Sequence, residues 1–535
     1  MFDIDGRRLP TGLQSFKKIR EEGSIYVDKT DLMWRMAQGE HVYFLSRPRR
    51  FGKSLLLNTF KAYFLGQKEL FEGLAAERLE AQRGEKAWTK HPVFMFEFTG
   101  ASYGEEAVKE VILGTIAEYE EEYGGSGGNS IKLRFSNLLK NATRQTGQRA
   151  VVLIDEYDSP LLESLRPERR EWHERYKEDL RTFYKVFKVM DEYVRFVFVT
   201  GITRFSELSL FSGLNNLVDL TFDEGYATVC GLTQEEVEET YAPEIDRLVE
   251  RLGRSREEVL ESLKMAYDGY RFTRRDVHVY NPVSLFKCFS QGRLGFYWYN
   301  TGTPWVLTQL LPDFKGGVEE LERPKRMNFA QLESLKFQER IDPTGLMMQA
   351  GYYTILSHED EFDSCEIGLP NGEVKFALIN ELQPHLQEGS YDVYSFTVVQ
   401  NFVRAIRSGD VPKFMDYLER FISYTPYSNR PAGSGVHEDI FRNIVHILFK
   451  LMGMYVQVEV RSLAGRSDME VMSEKGIYVF EFKTSTVQDA LQSALGQIRE
   501  KGYASKHLPE GKTVHAIGVV FGEKGIVDWG EEVVE

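Results

Sequence analysis

Residues 41–64 read HVYFLSRPRRFGKSLLLNTFKAYF, and their order decides the architecture of the first half of the chain. The apolar run at 41–45 has the composition of a buried strand. Just beyond it Leu56, Phe60 and Tyr63 or Phe64 recur at helical spacing. Between strand and helix, Gly52, Lys53 and Ser54 match the end of the phosphate-loop signature GxxxxGK[ST]. A chain that runs from a strand through such a loop into a helix converges backbone amides and the positive helix end on one anion. Lys53 then reaches terminal phosphates and Ser54 offers its hydroxyl to magnesium. The signature's first glycine is replaced by Arg47, so two glycines cannot give this loop its shape.

The partner of such a loop is a second strand tipped with carboxylates, and RAVVLIDEYDSP at 149–160 supplies it. The apolar run 151–154 ends in Asp155, placed to hold magnesium through its water shell. Glu156 follows, placed to orient or deprotonate an attacking water. A third run, VRFVFVTGITRF, ends in Thr200, Thr203 and Arg204. All three are polar groups that could sense a γ-phosphate or offer it a cation, but Thr203 reads rather as a turn residue, and Arg204 reads equally well as one. With 93–98 these runs give the pattern of buried parallel strands in an α/β domain over residues 1–230. The glycine-rich stretch 124–130 reads as a surface loop inside it.

Residues 231–335 are expected to be helical. Thr233 with Glu236 and Ser255 with Glu258 have the spacing of capping boxes, which predicts helices starting near 234 and 256. A β-rich bridging segment is expected over 336–390, with strands from GYYTILSHED to KFALIN in 351–380. SNRPAGSG at 428–435 then reads as a loop before a helix over 438–453.

The C-terminal block, 391–535, contains GRSDMEVMSEKGIYVFEFK at 465–483. A hairpin closed around Glu474 and Lys475 pairs Met472 with Ile477, and counting outward sets Asp468 opposite Glu481. Cβ atoms so opposed lie about 4.5–5.5 Å apart, where like charges repel unless a cation sits between them. Alternation puts Lys483 on the face of Glu481, with Phe480 and Phe482 on the other. Two carboxylates for a divalent metal and a lysine beside them are what phosphodiester hydrolysis needs. Glu438 is a further candidate metal ligand, and Gln497 a candidate to position the water or the lysine.

Composition limits the alternatives. The chain has 535 residues, enough for three or four domains. Its 42% hydrophobic and 27% charged residues exclude a disordered or fibrous class. Apolar runs fall short of the roughly 18 residues of a membrane span, and residues 1–10 lack a signal-peptide core, so a cytoplasmic location without membrane contact is expected. Three scattered cysteines, Cys230, Cys288 and Cys365, suit buried thiols rather than disulfides or a zinc site. A net charge of −15 excludes a blanket of positive potential, so any nucleic-acid contact has to be local and cation-assisted.

Together these segments resemble a known family, the AAA-ATPase-like proteins with a C-terminal PD-(D/E)XK nuclease domain. The resemblance runs nearly end to end, through LPTGLQSF, YVDKTDL, FLSRPRRFGKSLLL, LIDEYDSP, GITRFSELSLFSGLNNLVDLT, YDGYRF, VYNPVSL and YWYNTGTPWVL to GRSD, EFK and QIREKGY. It implies an ASCE/AAA-like P-loop NTPase domain with a parallel sheet, a helical lid with a winged helix as its candidate form, and a C-terminal α/β nuclease-like domain. The arginine-rich RPRRFGKS is the family's form of the loop, so Arg49, Arg50, Phe51 and Leu55 join Gly52, Lys53 and Ser54 as expected nucleotide contacts. Asp28 and Lys29 are implied to lie near the nucleotide. The implied cofactors are ATP and Mg2+, with Mn2+ an alternative at the nuclease site. The implied activity is an ATP-regulated, metal-dependent nuclease acting on DNA, in defence or mobile-element biology, with a homo-oligomer among its expected assemblies. The competing expectation is a nucleotide-driven switch or oligomerising ATPase whose C-terminal domain binds nucleic acid or protein without cutting.

Overall fold

The computed structural model describes residues 3–4, 6–39, 42–99, 104–204, 217–298, 323–334, 343–378, 394–423, 457–459, 469–473, 476–502, 504, 512–522 and 525–534. They fall into two compact units, one holding the described residues as far as Ala377 and the other those from Leu378 onward.

The first unit is built on five parallel strands: β1 (Val42–Ser46), β2 (Val93–Glu97), β3 (Ala150–Asp155), β4 (Val194–Gly201) and β5 (Leu217–Asp219). Their order is β2-β3-β4-β1-β5, so β4 lies between the loop-bearing strand and the carboxylate-bearing strand. The four expected strands are all present within a residue or two, and β3 is buried along its whole length, as a central parallel strand must be. His41, expected to open the first strand, lies outside the described residues.

The helices α1 (Lys53–Phe64), α2 (Ala107–Tyr123), α3 (Ile131–Thr146) and α4 (His173–Val189) cover this sheet. Strand register assigns them to opposite faces. Phe196 and Phe198 lie on one face against Phe60 of α1, with ring centroids 5.0 and 4.9 Å away. Phe96, on the other face, meets Phe135 of α3 at 5.4 Å and Phe183 of α4 at 4.7 Å. Residues 124–130 form the expected loop between α2 and α3.

The described residues of the segment expected to form a helical lid include the helices α5 (Gln234–Thr240), α6 (Ala242–Leu252), α7 (Arg256–Tyr267) and α8 (Pro282–Gln291). Both expected capping boxes are formed, at Thr233 with Glu236 and at Ser255 with Glu258. Val237, Tyr241, Ile245, Leu248, Val259, Leu263 and Leu285 make its core. Within 231–298, bridges Leu232–Tyr280 and Tyr270–Val279 are the β-structure of the described residues.

Beyond the lid, β6 (Lys325–Asn328), β7 (Thr354–Glu359) and β8 (Ser364–Gly368) form an antiparallel sheet in the order β6-β8-β7. This confirms strands near 354–368 but corrects the expectation for KFALIN, because residues 372–378 are helical. Asn371 caps that helix through its side-chain oxygen on Val374 N, and Val374, Ala377 and Leu378 are fully buried at i, i+3 and i+4. The helical period was present in the sequence and prevailed over the apolar composition.

The second unit contains α9 (Tyr394–Ser408) and α10 (Val411–Ser423). Its sheet comprises β9 (Gln457–Glu459), β10 (Met469–Met472), β11 (Gly476–Thr484), β12 (Thr513–Gly522) and β13 (Gly525–Val534), with α11 (Ala490–Glu500) packed on it. The strands lie in chain order, and β11 with β12 is the parallel pair. The loop at 428–435 and the helix at 438–453 lie outside the described residues. The three cysteines are buried free thiols, and no helix among the described residues is long and apolar enough to cross a membrane.

Candidate active sites

In the first unit the chain turns from β1 into α1 through a loop that is propped from behind. Arg47 is 1% exposed and donates through Nη1 to the carbonyls of Ser46 (2.9 Å) and Thr221 (2.7 Å), and its guanidinium lies 4.2 Å over the Phe272 ring. Burial lowers its pKa to about 10. Phe51 packs edge-on to Tyr270 and Phe272, so residues of YDGYRF serve as the wall of the loop. This is how the loop keeps its shape without the first glycine; Gly52, at φ 99°, keeps the conformation that only glycine adopts readily. Arg47→Ala should leave carbonyls unpaired and open a void, costing about 2–4 kcal/mol. A thermal melt unchanged from the parent would contradict that role.

The loop opens into a cavity of about 420 Å³. Its polar lining includes Arg49, Arg50, Lys53, Ser54, Thr99 and Glu156, and its apolar lining Leu13, Ile25, Val27, Leu232, Tyr241 and Phe286. Phe51, Gly52 and Leu55 also line it. Lys53 is 5% exposed, and its Nζ donates to the carbonyls of Arg47 (2.8 Å) and Pro48 (3.1 Å). Burial pushes its pKa down, against the pull of Asp155, Glu156 and Asp158. A buried ammonium with carbonyl partners and no carboxylate in ion-pair range among the described residues fits an incoming polyanion. Arg49 and Arg50 likewise pair with no carboxylate among the described residues.

At the tip of β3, Asp155 is 2% exposed. Its Oδ1 accepts from Thr200 Oγ1 (2.5 Å) and Glu156 N (3.0 Å), while Oδ2 carries no hydrogen bond among the described residues. Thr200 therefore acts on the carboxylate rather than on the cavity. A hydroxyl from Ser54 and a free carboxylate oxygen suit magnesium, a hard cation that takes oxygen ligands. Glu156 stands at φ 48°, a conformation rare for a non-glycine residue, and its Oε2 accepts from Thr99 Oγ1 at 3.0 Å.

Arg204 does not reach this cavity. Its Nε pairs with Asp219 at 2.8 Å and its Nη1 donates to the Glu333 carbonyl at 2.5 Å. Lys29 does line the cavity and binds both carboxylate oxygens of Glu236, at 2.7 and 2.9 Å, whereas Asp28 holds Thr30 and Ala75 instead. Asp158 was missed in the sequence. It accepts from Ile202 N (3.0 Å), Thr203 N (2.6 Å) and Thr203 Oγ1 (2.5 Å), which stitches the turn after β3 to the turn after β4. Its burial raises its pKa. The signal was its place three residues after Asp155, but only the fold shows what it meets.

In the second unit the hairpin has the expected register. Met472 pairs with Ile477 and Met469 with Phe480. Asp468 and Glu438 themselves lie outside the described residues. Glu481 is 2% exposed, and Lys483 Nζ lies 3.3 Å from its Oε1 and 2.7 Å from Oε1 of Gln497 on α11. Glu481, Lys483 and Gln497 are thus brought together. Phe480 and Phe482 point to the opposite face, where Phe480 meets Phe414. Helix α11 approaches closely because Gly518 faces it: a Cβ there would lie 3.1–3.2 Å from Leu491, Ala494 and Leu495. Glu470 was also missed. It pairs with Val479 and so shares the face of Glu481, and it is 1% exposed. The alternation in DMEVM, Asp468 then Glu470, was the available signal.

Comparison with known proteins finds two domain families in the chain. A family model described as a predicted AAA-ATPase matches residues 10–211, and one described as the PD-(D/E)XK nuclease superfamily matches 436–529. A protein of Azotobacter chroococcum mcd 1, "Uncharacterized protein in vnfD 5'region", is 34% identical over 527 residues, covering 96% of each chain. A chain in a structure of Drosophila ORC bound to GC-rich DNA and Cdc6 aligns with 10% identity over 83% of this chain and 62% of that one. Its TM-score of 0.19 is too low to carry an argument. The chain belongs to the family that joins a predicted AAA-ATPase domain to a C-terminal PD-(D/E)XK nuclease domain.

Proposed function

We propose that this chain binds and hydrolyses ATP in the first unit and cuts DNA with a divalent metal in the second, the nucleotide regulating the cut. The observation that carries the first half is the buried Lys53 ammonium, held by carbonyls at the mouth of a cavity that also holds Ser54 and Glu156. In this reading Lys53, Arg49 and Arg50 hold the phosphates, and the apolar lining residues take the base. Glu156, fixed by Thr99, receives the proton of the attacking water. Ser54 and Asp155 would hold Mg2+ in the ATPase, and Asp468, Glu481 and Glu438 a divalent ion in the nuclease. Such ions neutralise charge building on phosphate oxygens and lower the pKa of bound water.

In the nuclease centre Lys483 is positioned by Gln497 and presents its ammonium to the scissile phosphate or the water. Residues 1–230, 231–335 and 391–535 serve as ATPase, lid and nuclease parts.

The test of the first half is Glu156→Gln, which changes the group at the water and leaves the phosphate cradle intact. ATP affinity should stay near the parental value while hydrolysis falls by about two to four orders of magnitude. Parental turnover in this variant would remove Glu156 from the mechanism.

A further inference from the structure

The acidic balance of the chain is reversed over one helix of the first unit. Residues 131–149 carry Lys132, Arg134, Lys140, Arg144 and Arg149 with no aspartate or glutamate, in a chain of net charge −15. Lys132, Ser136, Lys140 and Arg144 follow one another at intervals of four, so they form a single stripe along α3. The three cations are exposed, while Phe135, Leu138, Leu139 and Ala142 are buried. The opposite flank is tied to α2. Arg134 pairs with Glu120 at 2.5 Å, Asn141 donates to Gly124 O, and Gln145 donates to Tyr123 O. The stripe therefore faces away from the acidic end of α2.

Helix α4 packs beside α3 through Phe183 and Phe187 on Phe135, and adds Lys185 and Lys188, both exposed. Lys132, Lys140, Arg144, Lys185 and Lys188 have no carboxylate in ion-pair range among the described residues. The nearest acids in sequence on α4 and its following turn are Asp179, which pairs with Arg175, Glu178, which pairs with Arg181, and Asp191 and Glu192. Lys140 and Arg144 are like charges four residues apart, which weakens a helix by a few tenths of a kcal/mol, so folding gains nothing from the pair. From Lys132 to Arg144 the stripe is about 18 Å long, the length of about five base pairs.

We propose that the α3–α4 face docks the sugar–phosphate backbone of duplex DNA without reading sequence. The proposal rests on DNA being the substrate, and it adds a contact surface that the cutting centre does not include. Each lysine or arginine on a phosphate releases condensed counter-ions, so its signature is a salt dependence rather than a base preference.

The test compares full-length chain in a Glu481→Gln background, which binds without cutting, with the same chain carrying Lys132→Glu, Lys140→Glu and Arg144→Glu. Anisotropy of a labelled duplex is read across a salt series. The triple variant should bind at least about tenfold more weakly at low salt, with a log affinity against log salt slope shallower by about three. A second variant with glutamine at the three positions should flatten the slope in the same direction. Retained ATP binding shows that both are folded. Parental affinity and slope in both folded variants would overturn the proposal. So would unchanged DNA affinity with an altered oligomeric state, which would make this face a protein contact. If the Glu481→Gln chain binds no duplex, the proposal falls; if duplex binding depends on the stripe but the parent cuts nothing, the nuclease reading falls alone.

Discussion

Lys53→Ala is expected to remove ATP binding at working nucleotide concentrations and, with it, turnover. Charge-assisted hydrogen bonds are worth about 1.5–3 kcal/mol each, so losing this ammonium should weaken binding by about ten- to a hundredfold. The fold should tolerate the change, because Lys53 donates to two carbonyls and has no buried carboxylate that its loss would leave unpaired among the described residues. Calorimetry on the folded variant is the check. Parental affinity and parental hydrolysis together would show that the anion site lies elsewhere.

The second large effect is expected at the acidic hairpin. Asp468→Ala or Glu481→Gln should abolish metal-dependent cleavage. Lys483→Ala should leave metal binding largely intact and slow cleavage by about two to four orders of magnitude, the range for a lost acid/base or charge-stabilising group. Gln497 contacts Lys483 and not the metal ligands that are described, so Gln497→Ala should act through the lysine and slow cleavage less. Cleavage at the parental rate by both the Asp468 and the Lys483 variants would assign the activity to another site.

Much of this was legible in the sequence because it rests on local rules. Strand alternation and the two-residue turn gave the pairing of Met472 with Ile477 without any knowledge of the rest of the chain. The capping boxes at Thr233 and Ser255 were legible for the same reason: their spacing is itself the geometry. What was not legible depends on residues far apart. That Arg47 shapes the loop follows from Thr221, Tyr226 and Phe272, brought in by β5 and the lid. Arg204 looked available for a phosphate until Asp219 and Glu333 were seen to hold it. Asp158 was passed over because what it meets, the turn at 202–203, is brought to it only by the fold. KFALIN was misread for a different reason, since its apolar composition hid a helical spacing capped by Asn371.

The most direct measurement is cleavage of linear and circular DNA by the full chain with magnesium or manganese, with and without ATP, run beside the Lys53→Ala and Glu481→Gln variants. The two-centre account predicts metal-dependent cutting that ATP alters in the parent, cutting that ATP no longer alters in Lys53→Ala, and none in Glu481→Gln. Cleavage by Glu481→Gln at the parental rate, or an ATP response undiminished in Lys53→Ala, would contradict it.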